Sequence, residues 1–182
     1  MCRFGYRDSF FKTVEGKKWV ITSVKIVLKT AEVYIPNIGY GNIEEILNTE
    51  KKNSSIKSVY EAVIAIRKSK LPDPKIDPNA GSFFKNPIIA TGQLIELQEN
   101  YPKIPNFKIN DRESKVPAAW LIETIGYKGK RTGNVAIHDK QALVIITKGA
   151  TTGKEILDFS EIIIREVMLT FGILLEREVN VY

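Results

Sequence analysis

Cysteine and histidine are almost missing from this chain of 182 residues, which holds one of each, Cys2 and His138. A single cysteine forms no intrachain disulfide, and a reducing compartment is the default for such a chain. One cysteine and one histidine also fall short of the ligand set that a zinc site of the usual kind needs. No apolar run approaches the roughly 18 residues of a membrane span. The opening "MCRFGYRDSFFK" lacks the apolar core of a signal peptide. The expectation is a cytoplasmic chain with no membrane partner. Internal repeats and low-complexity tracts are missing as well.

What is present suits an ordinary globular protein: 43% hydrophobic and 26% charged residues. Lys+Arg 27 against Asp+Glu 21 leaves a formal charge of +6. That balance fits anionic partners of several kinds, such as nucleic acid, phosphate-bearing metabolites or acidic lipid, without choosing among them.

Patterning gives a coarse map. "WVITSVKIVLKT" (19–30) is β-branched and alternates near its end, which predicts a strand with one wet face. "IPNIGYGN" (35–42) reads as a loop. A helix is predicted over about 58–69, opened by a Ser58/Glu61 capping box, with Val59, Ala62, Val63 and Ile66 on one face. Three prolines in "KLPDPKIDPNAGS" (70–82) predict a linker. A helix is expected near 90–100, then an extended loop over 101–113. Pro117 opens a further helix that runs to a Gly126 C-cap. "NVAIHDKQALVIIT" (134–147) reads as two strands joined near Asp139 and Lys140. The last helix covers about 152–171, with a Thr152/Glu155 capping box and Ile156, Phe159, Ile163 and Val167 on its buried face. "LLEREVNVY" (174–182) closes as a strand. Strands and helices mix without strict alternation, so the fold class is α+β.

Several short motifs admit a site reading and a plain one. "IGYKGK" (125–130) fits the glycine loop of a KH nucleic-acid module, but that module needs a helix next, and a β-rich run follows. The plain reading is a helix cap and a basic turn. "GYGN" (39–42) resembles part of a dinucleotide fingerprint, without its third glycine or a following helix in register. Its glycines could still hold Tyr40 over a ligand. The basic run Lys51, Lys52, Lys57, Arg67, Lys68, Lys70 and Lys75 is either a solvated face or an attractor of a diphosphate or nucleic acid. Arg7 in "YRDS" could grip a carboxylate or simply pair with Asp8. Glu176 and Glu178 in "EREV" share one side if this segment is a strand.

The order of "YRDSFFK", "GYG", "KLPDPK", "NAGSFFKNP", "AAWLIETIGYKG", "VAIHDKQALVI" and "LEREV" carries more than any single motif. This set resembles the C-terminal part of the UDP-N-acetylenolpyruvoylglucosamine reductase (UDP-N-acetylmuramate dehydrogenase) family of bacterial cell-wall synthesis. The resemblance spans essentially the whole chain, and Tyr40 resembles the family's tyrosine-loop subtype. It implies the second part of an FAD-binding domain over 1–70 and a substrate-binding domain over 71–182. It implies an NADPH-dependent flavoenzyme in which FAD, once reduced, passes hydride to UDP-N-acetylglucosamine enolpyruvate. In this likeness Ser82 matches the proton donor, and Arg7 and Glu178 match the pair that stabilises developing charge. Glu178 must then be paired with Arg7 or protonated, since alone it would repel a dianion. Tyr40, Lys70 and Asn86 match substrate-holding positions, with Tyr6, Lys115, Lys128 and Gln141 as weaker matches to the same cleft.

Two departures accompany the likeness. The family's glycine-rich segment for the FAD pyrophosphate has no counterpart in this sequence, so the chain alone is expected to be inactive. Asn180 stands where the family usually has an arginine. The alternatives are a non-catalytic UDP-sugar-binding module and a KH-like nucleic-acid binder; under the family reading, no nucleic-acid partner is expected.

Overall fold

The computed structural model describes residues 2–30, 33–39 and 41–181. The chain divides into two compact units, Met1–Ser69 and Lys70–Tyr182. Helices combine with antiparallel sheets, giving the α+β class expected.

In the first unit, short helical turns at Phe10–Lys12 and Gly16–Lys18 precede helix α1, Ile43–Thr49. Helix α2, Ile56–Lys70, carries the apolar stripe that its spacing predicts. Ile43, Leu47 and Ala62 form a small core, with Val59, Val63 and Ile66 packed on it. The helix starts earlier than the Ser58/Glu61 box implies. Ser55 Oγ accepts the Ser58 N–H at 3.2 Å, and Glu61 is instead paired with Lys52 at 3.0 Å. Two serines three residues apart offer two competing caps, and the upstream one satisfies an extra turn.

The predicted strand at 19–30 does not form. Its apolar residues stand in solvent: Val20, Ile21, Val24, Ile26, Val27 and Leu28 are all exposed. A β-branched alternation supplies propensity, but a strand is stabilised only by a paired neighbour. Among the described residues, every named strand lies in the second unit.

The second unit holds two sheets. The larger has strand β1 (Asn79–Ser82) at its edge, then β7 (Val144–Thr147), β6 (Val135–Ile137) and β5 (Arg131–Thr132). The smaller places β4 (Glu113–Lys115) between β2 (Ile88–Ala90) and β3 (Phe107–Lys108). The predicted linker over 70–82 therefore ends in a strand. Its prolines, Pro72, Pro74 and Pro78, all precede β1, and an edge strand tolerates that neighbourhood. Likewise 101–113 is not all loop, because Phe107–Lys108 pairs with β4.

Three helices complete the unit: α3 (Thr91–Asn100), α4 (Ala118–Thr124) and α5 (Gly153–Phe171). Helix α4 ends as predicted. Gly126 adopts φ 74°, its N–H donates to Glu123 O at 2.9 Å, and the Tyr127 N–H donates to Ile122 O at 3.1 Å. That pair of bonds is a Schellman cap. Helix α5 opens with the predicted capping box between Thr152 and Glu155. Phe159, Ile163 and Val167 enter the main core beside Phe84, Leu121, Val135 and Ile137. Gln93 Nε2 donates to Gly172 O at 3.0 Å, tying α3 to the end of α5.

Over the described residues of the closing segment, 174–181, there is no strand but a single bridge, Phe84 opposite Arg177. Lys85 N–H donates to Glu176 O at 2.9 Å and Glu178 N–H to Phe83 O at 2.8 Å. The next position in that register falls on Pro87, which has no N–H to give, so the ladder stops.

Candidate active-site segment

Residues 82–88 are the segment around which the second unit's candidate side chains gather. Strand β1 pairs with β7 as Asn79 opposite Ile146 and Ser82 opposite Val144. Three steps along β1 match two along β7, so one extra residue is bulged out. Gly81 supplies the bulge at φ 76°, and its N–H donates to Asn79 Oδ1 at 2.9 Å. The extra residue turns Ser82 onto the face it shares with Val144 and Ile146. Those two form a separate small cluster with Ala136, whereas Val135, Ile137 and Ile145 face the main core under α5. Ser82 therefore ends half-buried on the side of the sheet away from α5.

Phe83 and Phe84 follow as anchors, 5% and 1% exposed, with their rings edge to face at 5.3 Å. Burying a phenylalanine of this kind contributes about 1.5–3 kcal/mol. Both sit in the main core, so their task here is structural.

Asn86 has a structural bond as well. Its Oδ1 accepts the Ala118 N–H at 2.9 Å, at the first turn of α4. Pro117 precedes that turn and has no side-chain oxygen to cap it, so Asn86 meets one of the helix's orphan donors from a distance. Val116 N–H then donates to Pro87 O at 2.9 Å, and Lys115 pairs opposite Ile88. The Lys115 ammonium lies 5.5 Å from the centre of the Phe107 ring.

On the other side, Phe83 N–H donates to Leu143 O at 2.7 Å. That bond brings in the turn between β6 and β7, where Gln141 sits half-buried with its carbonyl accepting the Val144 N–H at 3.0 Å. His138 shapes the same turn, its Nδ1 accepting the Lys140 N–H at 3.2 Å. Glu178 arrives through its N–H bond to Phe83 O. Backbone pairing thus collects Ser82, Asn86, Lys115, Gln141 and Glu178 around one short segment. Lys128 sits apart on the turn after α4, paired with Glu123 at 3.0 Å. Lys70 is the exposed last residue of α2.

In the first unit, Arg7 has a left-handed backbone, φ 53°, between the bridged residues Gly5 and Asp8. Arg3 and Lys51 share that uncommon backbone, at φ 49° and 51°. The Arg7 carbonyl accepts from Lys12 Nζ at 2.7 Å, and Asp8 Oδ1 accepts from the Ser9 N–H at 2.8 Å. Tyr6 is exposed beside it. Tyr40 lies outside the described residues.

The competing motifs fare less well. After "IGYKGK" the chain enters β5, paired antiparallel with β6, in place of the helix a KH loop needs. After "GYGN" a helix does follow, contrary to expectation. It has seven residues, with Glu44 and Glu45 in its first turn. Two carboxylates at a helix N-terminus repel the diphosphate that a dinucleotide site must hold. In the basic run, Lys52 is engaged by Glu50 at 2.9 Å and by Glu61, and those bonds raise its pKa. Among the described residues there is no group of three or more His, Cys, Asp or Glu side chains able to hold a metal, and no helix long and apolar enough to cross a membrane.

Sequence reasoning passed over Arg177 and Lys85. Lys85 pairs with Glu176 across the bridge, and Arg177 reaches α5. The available signal was alternation in "EREV", which puts the arginine on the side opposite its two glutamates.

Residues 73–182 match the family model described as the C-terminal domain of UDP-N-acetylenolpyruvoylglucosamine reductase. Curated relatives of that name extend the likeness to nearly the whole chain. The one from Flavobacterium johnsoniae is 45% identical over 181 residues, covering 99% of this chain and 53% of the relative. The one from Photorhabdus laumondii is 42% identical, covering 98% and 51%, and one from Bacteroides fragilis is 40% identical, covering 98% and 53%. The chain spans about half the length of the curated relatives it matches. On this evidence of fold and sequence the chain belongs to the UDP-N-acetylenolpyruvoylglucosamine reductase family, which it matches through that family's C-terminal domain.

Proposed function

We propose that this chain is the C-terminal portion of an NADPH-dependent flavoenzyme that reduces UDP-N-acetylglucosamine enolpyruvate to UDP-N-acetylmuramate. The observation that carries this reading is the pairing of residues 83–85 with 176–178, which sets the Ser82 and Glu178 segments side by side. The domains we assign are 1–70 as part of a flavin-binding domain and 71–182 as the substrate-binding domain.

The described residues do not fit an FAD diphosphate. The glycine pair that precedes a helix leads into Glu44 and Glu45, and the hollow on α1 is lined by the same two carboxylates. The part assigned to this chain is therefore on the substrate side. Once hydride has reached the β-carbon of the enolpyruvyl group, the α-carbon is an enolate conjugated with the carboxylate. Ser82 gives its hydroxyl proton to that carbon: a C–H bond forms, the O–H bond breaks, and water restores the serine. A serine hydroxyl is a weak acid toward water, but an enolate is a strong base, so the transfer runs downhill when the geometry is fixed. Arg7 and Glu178 are the residues assigned to offset the carboxylate's growing charge. Lys70 and Tyr40 are assigned to hold the UDP-sugar, with Tyr6, Lys115, Lys128 and Gln141 as weaker members of that set. Asn86 adds its remaining amide to that set. In this reading the protein works in the cytoplasm, in peptidoglycan synthesis, without a nucleic-acid or membrane partner.

The test uses the protein in the length its host makes. It should retain flavin and turn over NADPH continuously only when the enolpyruvyl substrate is supplied. Ser82→Ala should spare flavin reduction by NADPH and slow reoxidation by the substrate; equal losses in both halves would remove the proton-donor role. A second reading, a UDP-sugar-binding module without catalysis, is favoured by the acidic start of α1. Saturable binding of the UDP-sugar with no NADPH oxidation would select it.

A further inference from the structure

The pair of segments that joins Ser82 to Glu178 is short. Two backbone bonds hold it, Lys85 N–H to Glu176 O and Glu178 N–H to Phe83 O; the Phe83 N–H is spent on Leu143 O, and Pro87 has none for the next position. So small a ladder leaves the tilt of residues 176–178 weakly set by the backbone alone. Leu175 and Val179 flank the segment and pack on the main core, and polar side chains set the residues between them from two sides. On one side Lys85 pairs with Glu176. On the other, Arg177 reaches helix α5, where its Nε donates to Ser160 Oγ at 2.9 Å and its Nη2 to Glu161 Oε1 at 2.5 Å.

The Ser160 contact carries the argument. Ser160 has no exposed surface, and its own hydroxyl proton goes to Leu157 O at 2.7 Å. Its oxygen is thereby oriented as an acceptor aimed at Arg177. A planar guanidinium meeting two acceptors at once is fixed in rotation as well as position. A lysine in its place would satisfy at most one acceptor with a single point charge. Side chains alternate along an extended segment, so fixing Arg177 toward α5 fixes Glu178 on the opposite side. That opposite side also carries Glu176, and Lys85 is committed there to Glu176.

We infer that Arg177 is a positioning residue: its two bonds to Ser160 and Glu161 anchor the 176–178 segment to α5 and thereby set the aim of Glu178 relative to Ser82. The functional weight of this rests on the reading of Glu178 and Ser82 as reacting groups. The anchoring itself can be measured without flavin or substrate, so a failure of the reductase reading and a failure of this inference are separate results.

The experiment is nuclear magnetic resonance on the whole 182-residue chain, with ¹³C labels that report the Glu178 carboxyl carbon and Ser82 Cβ. Arg177→Gln should move both signals and speed exchange of the Glu178 amide by about tenfold or more, while the methyl signals of Ile163 and Val167 stay in place. Arg177→Lys should fail to restore the wild-type signals. Ser160→Ala, which removes only the buried acceptor, should move the Glu178 and Ser82 signals in the same direction, and it decides the matter if Arg177→Gln does not fold. Unchanged Glu178 and Ser82 signals overturn the inference. So do signals that move only together with those of the α5 methyls, because Arg177 would then be acting on stability alone.

Discussion

Gly81 decides where Ser82 points, through backbone conformation and not through contact. At φ 76° a β-carbon would meet nothing within 4 Å, so the whole cost of Gly81→Ala is the left-handed backbone. The expected loss is about 1–2 kcal/mol, read as a lower unfolding midpoint. If the alanine instead relaxes the bulge, Ser82 turns to the other face and the proposed proton-donor role would be lost with it. Asn86 carries a structural charge that its sequence context hides. Asn86→Ala should cost about 1 kcal/mol by orphaning the Ala118 N–H. Asn86→Asp keeps the acceptor and should recover most of that stability, measured by denaturant unfolding. The Asn86 bond to Ala118 was not legible, because it spans 32 residues and leaves no local signature. The anchoring role of Phe83 and Phe84 was legible, since adjacent aromatics between a glycine and a proline have few other uses.

At the level of elements, legibility follows locality. Helices α4 and α5 are written in their own residues: a Gly126 cap at one, a Thr152/Glu155 box and an apolar stripe at the other. The hairpin of β6 and β7 is equally local. The segments at 19–30 and 174–182 read as strands, and their described residues form none, because strand formation depends on a neighbour that the local sequence does not specify. Helix α1 and the β2–β4–β3 sheet went unread for the complementary reason, being too short to show a period. The α5 cap makes a pH prediction. Backbone and side-chain hydrogen bonds from Thr152 hold the Glu155 carboxyl below the usual glutamate range. A depressed carboxylate contributes stability that is full above its unfolded pKa and is lost as pH falls through the folded one. Amide protection at the start of α5, after allowance for the intrinsic slowing of exchange in acid, should therefore drop as pH falls below the usual glutamate range, before that of the core amides. Thr152→Ala should remove that acid dependence.

Across the whole molecule, the two units differ in how well they bury themselves. The second has a continuous core from Phe83 to Leu175; the first has a core of three buried residues beside a run of exposed apolar ones. Amides over residues 20–29 should exchange at close to unprotected rates, whereas those of β6 and β7 should persist; protection over 20–29 in the isolated chain would show that its apolar residues find a partner there. The family and the α+β class were legible because ordered motifs run the length of the chain. The aim of Ser82 and the Arg177 anchor were not, because both arise where distant segments meet. The central claim, that this chain carries the substrate side of a UDP-N-acetylenolpyruvoylglucosamine reductase, is tested most directly by calorimetric titration of the chain with UDP-N-acetylglucosamine enolpyruvate. Saturable heat is predicted, weakened about tenfold or more by Lys70→Ala or Gln141→Ala and left nearly unchanged by Ser82→Ala. No heat at millimolar ligand, or equal binding by all three variants, would contradict it.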